Sequence, residues 1–163
     1  MRFSAQEEYG LRCLLQIARA PRGFMSLHEI AGRESLTQAY VAKLMRALRK
    51  GGLVASTRGQ KGGYRLARPA EEVSVGSVLV ALGGKFYTKD FCDEHAGQSR
   101  VCVHDTDCSL RSMLIALDSV VWDALDRVKL KDLVCDESAM NTWVRDQFVP
   151  VLIEARASIA RRS

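Results

Sequence analysis

Between Thr37 and Pro69 the chain changes its periodicity twice, and that change limits the folds open to it. Val41, Leu44, Met45 and Leu48 recur at steps of three and four, the spacing of one buried helical face. Ala39, Lys43, Arg46 and Lys50 share the opposite sector, because each helical residue turns by about 100°. Gly51-Gly52 stops the helix. Two short extended pieces follow, Leu53–Thr57 and Tyr64–Leu66, joined by the basic, glycine-rich loop Arg58-Gly59-Gln60-Lys61-Gly62-Gly63. Pro69 closes the unit. A helix with one apolar and one cationic face, followed at once by a basic hairpin, predicts a winged helix-turn-helix.

The preceding residues complete that outline. Leu11, Leu14, Leu15 and Ala18 give residues 4–20 an amphipathic helix, ended by Pro21-Arg22-Gly23. Ser26-Leu27-His28-Glu29 fits a capping box that opens a short helix through about Arg33. A turn spans Glu34–Leu36, and Thr37 or Ser35 caps the third helix. Thr37, Gln38 and Ala39 at its start are expected to meet base edges and Tyr40 to join the DNA-binding set, with Gln38 suited to adenine and Arg46 to guanine or a phosphate. Lys43 and Lys50 extend that face, while Arg58 and Lys61 on the wing can approach a backbone or minor groove closely. An ordinary solvated helix face beside a hairpin is the bland alternative; a basic helix paired with a basic wing argues for DNA.

Charge points the same way. Residues 1–68 carry 13 Lys/Arg against 4 Asp/Glu, whereas residues 69–163 carry 11 against 15. A polyanionic partner is therefore expected for the first half alone. Apolar residues make up 47% of the chain, enough for a packed core. No apolar run reaches the roughly 18 residues of a membrane span. Glu7 and Glu8 stand where a signal peptide carries basic and then apolar residues, so a cytoplasmic location is expected.

Past Pro69, residues 75–83 read as a small helix ended by Gly83-Gly84. Residues 85–107 form a polar loop with few apolar anchors. A long helix is expected from about Asp107 to Val128, striped by Leu110, Met113, Leu114, Leu117, Val120, Val121, Leu125 and Val128. A last helical segment, about 138–161, carries Met140, Val144, Phe148, Val151, Ala155 and Ile159, with Pro150 expected to kink or restart it. The predicted class is mainly α with a small β-hairpin wing. Residues 1–68 form the DNA-binding domain, 69–134 the cysteine loop and long helix, and 135–163 a helical extension.

The polar loop holds Cys92, Cys102 and Cys108 in a C-x9-C-x5-C pattern. Free cysteine prefers burial, so three within 17 residues of polar chain suggest a shared site. Thiolates converging from a flexible segment suit a soft metal or an iron–sulfur cluster. Cys108 lies at the predicted helix N-terminus, where the helix dipole favours a thiolate. His95, His104, Asp93, Glu94, Asp105 and Asp107 are local candidates for a fourth ligand. The spacing lacks both the C-x2-C knuckle of structural zinc and the ferredoxin patterns. Cys13 falls within an amphipathic helix and reads as packing; Cys135 reads as structural or incidental, with a redox or crosslinking role as its alternative.

Four stretches together resemble the IscR/NsrR/RirA-type family of winged-helix regulators that carry iron–sulfur clusters. They are MRFSAQEEYGLRCLLQIA, SLTQAYVAKLMRALRKGGLV, STRGQKGGYRLARP, and the three cysteines followed by a long helix and Lys131-Asp132-Leu133-Val134. The resemblance spans roughly residues 1–134. It implies a homodimer built on the long helix, a [2Fe–2S] or [4Fe–4S] cluster on Cys92, Cys102 and Cys108, and a cluster position near the partner's first helix. The C-x5-C half matches the family, whereas the x9 interval is longer than is common in it. The branch resembling IscR has a His three residues after the last cysteine; here Arg111 stands there and cannot ligate. The branch resembling NsrR takes a carboxylate from near the other subunit's N-terminus, and Glu8 occupies that position. Glu8 is thus the expected fourth ligand, with His104 or His95 as the fallback. Family members that read two operator classes carry a Glu two residues after the Tyr, where this chain has Ala42.

The function expected is a homodimeric DNA-binding transcription regulator, a repressor rather than an enzyme. Its cluster would sense redox state, nitric oxide, oxygen or iron status. Cluster loss would move the loop and the dimer helix, and so the distance between two recognition helices. A cluster-free thiol switch or a zinc-bound regulator is the alternative within the regulatory class. A small redox or electron-transfer protein is the alternative outside it, and docking of the long helix on another protein is a possible added role.

Overall fold

The computed structural model describes residues 3–57, 62–84, 86–88, 91–96, 98 and 101–150. The wing-tip residues Arg58 and Lys61 and the end of the chain, 151–163, lie outside the described residues.

The first helix, α1 (Ala5–Ala18), opens with a capping box in which Ser4 and Glu7 satisfy each other's backbone N–H groups. The second, α2 (Leu27–Glu34), opens with the expected box of Ser26 and Glu29. It ends on Ser35, whose left-handed backbone (φ 54°) turns the chain. Thr37, not Ser35, caps α3 (Gln38–Lys50) by accepting from the Tyr40 N–H. Val41, Leu44, Met45 and Leu48 are fully buried, so the face read from spacing is the face that packs.

Beyond Gly51-Gly52 the hairpin pairs β1 (Val54–Thr57) with β2 (Gly63–Leu66) antiparallel, in the register Val54 to Leu66 and Thr57 to Gly63. Two four-residue strands are too few to stand alone. Met25 adds a third rung, exchanging backbone hydrogen bonds with Tyr64 at 2.9 and 2.7 Å. A Cβ on Gly63 would lie 2.6 Å from the Met25 carbonyl oxygen, so glycine is what lets the two backbones approach.

The chain then forms α4 (Val75–Ala81), the single-turn α5 (Phe91–Glu94) inside the expected loop, and α6 (Ser109–Arg127). Val73, Val78, Leu82 and Leu130 join the core built by α1, α2, α3 and the hairpin. The start of α4 and the end of α6 are tied by backbone bonds from Val75 to Val128 and from Leu130 to Val73. The Ser74 hydroxyl also donates to Asp126 at 2.9 Å. Val75, Leu79 and Val128 form a small second cluster with Trp122, Leu125, Leu133, Trp143 and Phe148 around it.

Towards its start α6 stands clear of this packing. Leu110, Met113, Ile115 and Leu117 are all more than half exposed, and Ala124 is the one α6 residue that is buried. The helix begins at Ser109 rather than Asp107, because Cys108 takes the capping position. After a 3-10 turn (Leu130–Leu133), α7 (Glu137–Trp143) runs into a π turn at Val144–Phe148. The expected helix of 138–161 is thus widened just before Pro150, a residue with no N–H to give and a ring that crowds the preceding turn. The remainder of that expected helix lies outside the described residues.

The second capping box carries a pH signature. The Ser26 N–H, donating to the Glu29 carboxylate at 2.8 Å, lowers the Glu29 pKa from 4.5 to about 2, helped by the Ser26 side chain and Arg22. The stabilisation is complete above pH 4.5 and is lost as the pH falls towards 2. Glu29→Gln is expected to flatten the fall in melting temperature across that window, measured by circular dichroism; an unchanged pH profile would contradict the assignment.

Candidate nucleic-acid interface and cysteine centre

The cationic side of α3 faces outward. Thr37, Gln38, Ala39, Lys43, Arg46, Arg49 and Lys50 are exposed. Arg49 went unnoticed in the spacing because it sits beside the sector shared by Lys43, Arg46 and Lys50. It donates to the Ser56 hydroxyl at 3.4 Å and carries positive charge from the helix to the hairpin. Arg65, on β2, is exposed as well. Tyr40 turns inward instead: it is half-buried on the core and meets Tyr9 edge-on, with ring centroids 6.1 Å apart.

A polar knot beneath this surface locks α1 to α2. Glu34 is buried, and its carboxylate accepts from Arg12 Nε and from Gln16 Nε2, both at 2.6 Å. Both carboxylate oxygens are thereby satisfied, as a buried charge requires. The Arg12 guanidinium also lies over the Tyr9 ring, 5.3 Å from its centroid, and pairs with Glu8 at 3.5 Å. Glu8 therefore sits in the first turn of α1 with a cation beside it, its side chain 61% exposed.

The cysteine centre lies at the start of α6. Cys92, Cys102 and Cys108 are free thiols, each half-buried. Cys108 caps α6, its sulfur accepting from the Arg111 N–H at 3.4 Å. Cys92, on α5, has its sulfur 3.8 Å from the Tyr87 hydroxyl. Asp118 on α6 anchors this side of the loop by accepting from the Tyr87 N–H (3.1 Å) and the Trp122 indole N–H (3.0 Å). Phe86 packs on Trp122 at 5.0 Å.

Arg111 holds the other side. Its guanidinium donates to the carbonyl oxygens of Asp105 (2.9 Å) and His104 (3.4 Å) and lies 3.6 Å from the Asp105 carboxylate. A hydrogen bond to Cys92 raises the Arg111 pKa, with further contributions from the charges of Cys92, Cys108 and Asp105. Desolvation raises the pKa of Tyr87, and Cys92 adds to the effect. Cys92 and Cys108, 16 positions apart, thus face one guanidinium, at the position where a His would stand in one branch of the resembled family.

The remaining candidates are placed differently. His95 stacks on Phe91 at 4.2 Å, with Nδ1 2.8 Å from the Phe91 carbonyl oxygen. His104 is exposed and contributes its carbonyl to Arg111. Among the described residues, no three His, Cys, Asp or Glu side chains are grouped closely enough to hold a metal ion. Cys13 is fully buried, and desolvation pushes its thiol up to about 12, so it packs as a neutral side chain. The Cys135 thiol donates to the Asp132 carbonyl at 3.3 Å, and Arg19 clamps the same segment through the Leu133 and Cys135 carbonyls.

Known proteins resemble this chain over most of its length. A family model, Rrf2, described as an iron-dependent transcriptional regulator, matches residues 3–136. The protein rrf2 of Nitratidesulfovibrio vulgaris is 34% identical over 139 residues, covering 85% of this chain and 90% of that protein. The solved structure of T. potens IscR is 28% identical with a TM-score of 0.62, covering 82% of this chain and 86% of that one. The oxidized form of Staphylococcus aureus CymR is 31% identical with a TM-score of 0.60, covering 82% and 96%.

Lys43 is exposed on α3, and an exposed ammonium suits a phosphate as a point charge. Lys43→Ala is expected to weaken binding on all duplexes alike and to reduce the slope of log affinity against log salt by about 1. Fluorescence anisotropy across a salt series measures both; a loss confined to one sequence would assign Lys43 to a base instead.

Proposed function

The chain belongs to the Rrf2 family of DNA-binding transcriptional regulators, which are not enzymes, and on that premise we propose that it is a homodimer whose operator affinity is set at Cys92, Cys102 and Cys108. The observation that carries this reading is the meeting of Cys92 and Cys108 on Arg111 at the start of α6, the helix whose neighbouring apolar side chains stand exposed. Chemistry at the thiols and contact between subunits would then act on one rigid element. No helix among the described residues is long and apolar enough to cross a membrane.

The donor set fits an iron–sulfur cluster. Three half-buried free thiols lie in one loop, and one of them, Cys108, caps the N-terminus of α6 beside Arg111. The partner subunit's Glu8 supplies the fourth ligand in this reading, a carboxylate that a small molecule can displace. When bound, the cluster supplies a redox- and nitric-oxide-reactive centre. Cys92, Cys102 and Cys108 would hold the cluster, and a change at that site would reach α6 through Arg111 and through the Tyr87–Asp118 bond. Tilting α6 changes the spacing between the two recognition helices, which must match half-sites about one DNA turn apart. Repression is the expected output, relieved when the thiols lose their ligand.

A second reading has its own observation. Two thiols that share a cation without a third ligand suit a thiol switch, or a zinc site, as well as a cluster. One solved relative is an oxidized form of CymR.

Native mass spectrometry of anaerobically purified protein separates these readings. A dimer carrying the mass of iron and sulfide is expected, and Cys102→Ala is expected to yield colourless protein with altered operator binding. A brown Cys102→Ala protein with unchanged binding would overturn the cluster reading, and a colourless native dimer would favour the switch or zinc. Replacing Met113 and Leu117 by Glu is expected to give monomers with operator affinity lowered at least 100-fold, since paired half-site contacts are lost; a persistent dimer would move the interface elsewhere.

A further inference from the structure

Gln38 opens α3 with its side chain exposed, and it is not alone there. His28, ten residues earlier on α2, brings its ring Nδ1 within 3.1 Å of Gln38 Nε2. We infer that His28 is a positioning residue that sets the hydrogen-bonding edge Gln38 offers to DNA. The inference rests on reading the start of α3 as the base-contacting edge.

An amide nitrogen carries two hydrogens and accepts nothing. Facing Nδ1 with that nitrogen therefore requires the neutral imidazole with its proton on Nε2, so that Nδ1 accepts. One amide hydrogen is then engaged by His28. With the hydrogen anti to the carbonyl engaged by His28, the second hydrogen and the carbonyl oxygen remain available side by side. That is the donor–acceptor pair that meets N7 and N6 of adenine in the major groove. Without a partner, a glutamine amide rotates about three bonds and can reverse its donor and acceptor ends.

His28 is well placed to impose this order. It lies in the first turn of α2, which Ser26 and Glu29 pin by their capping box. The Glu34 knot holds α2 against α1, and Thr37 fixes the start of α3. The two side chains therefore project from anchored backbones, and the bond between them costs little further ordering. Nothing in the recognition helix itself points to this residue, because His28 belongs to the preceding helix and precedes the turn.

The test is selection of bound sequences from a randomised duplex pool, followed by anisotropy on the selected site. Wild type, Gln38→Ala, His28→Ala and the double variant are compared. Gln38→Ala is expected to lose preference at one position in each half-site, by about 10-fold. His28→Ala is expected to lose preference at the same position, with the salt slope and melting temperature unchanged. The double variant should lose no more than Gln38→Ala. His28→Asn should retain the preference, because its side-chain oxygen accepts where Nδ1 did. Full preference in His28→Ala, a uniform loss on all sequences, or a His28→Asn protein as degenerate as His28→Ala would overturn the inference. If Gln38→Ala itself changed no position, the base-contact reading of Gln38 would fall, and this inference with it.

Discussion

Burial of one face of α3 is the constraint on which the rest of the molecule leans. Val41, Leu44, Met45 and Leu48 lose all contact with solvent, and each such burial contributes roughly 1.5–3 kcal/mol. Once that face is committed, the cationic residues have one direction left. The same burial carries Leu53 and Val54 into the core and so anchors a hairpin too short to hold itself. The Glu34 knot then fixes α1 and α2 around the helix. A carboxylate taken from water must keep both partners, so the angle between these helices tolerates little change.

α6 has two ends with different duties. Its C-terminal end is fastened to α4 by the Ser74–Asp126 bond, by paired backbone bonds and by a small apolar cluster that includes Trp122. Its N-terminal end carries Cys108 and Arg111 and leaves a band of apolar side chains uncovered. In the proposed reading this makes α6 a lever, with its fulcrum near the DNA-binding core and its free end at the thiols. The Tyr87–Asp118 bond joins the loop to the middle of that lever. The fixed end packs Trp122, Ala124 and Leu125 within its own chain, while the free end leaves Leu110, Met113, Ile115 and Leu117 exposed.

Much of this was readable from the chain itself. The capping box at Ser26 and Glu29, the Gly51-Gly52 stop, the hairpin and the stripe of α6 all follow from local chemistry within a few residues. Cys13 was read correctly as packing, since it shares a helical face with Leu14 and Ile17. Other features depend on residues far apart in sequence. Arg111 was noticed as a residue that cannot ligate, but its bonds to the loop reach the carbonyls of Asp105 and His104, and its electrostatic partner Cys92 lies far back in the chain. Tyr40 was read as part of the DNA edge, yet Tyr9 on α1 offers its ring an inward partner. The contact of His28 with Gln38 crosses from one helix to the next, where periodicity carries no information. The break before Pro150 was expected as a kink or restart and takes the form of a π turn, across which Trp143 and Phe148 stack at 6.0 Å.

The sequence by itself determined which faces are apolar, where helices begin and end, and that three thiols lie in one polar loop. These properties depend on side-chain chemistry at spacings of one to four residues, which the backbone geometry of helix and strand converts directly into faces and caps. Only the tertiary structure decided that Cys92 and Cys108 face the same arginine, that Asp118 ties their loop to α6, and that His28 meets Gln38. Those pairings arise where separate elements cross, and the crossing is set by packing of the shared core rather than by any local run of residues.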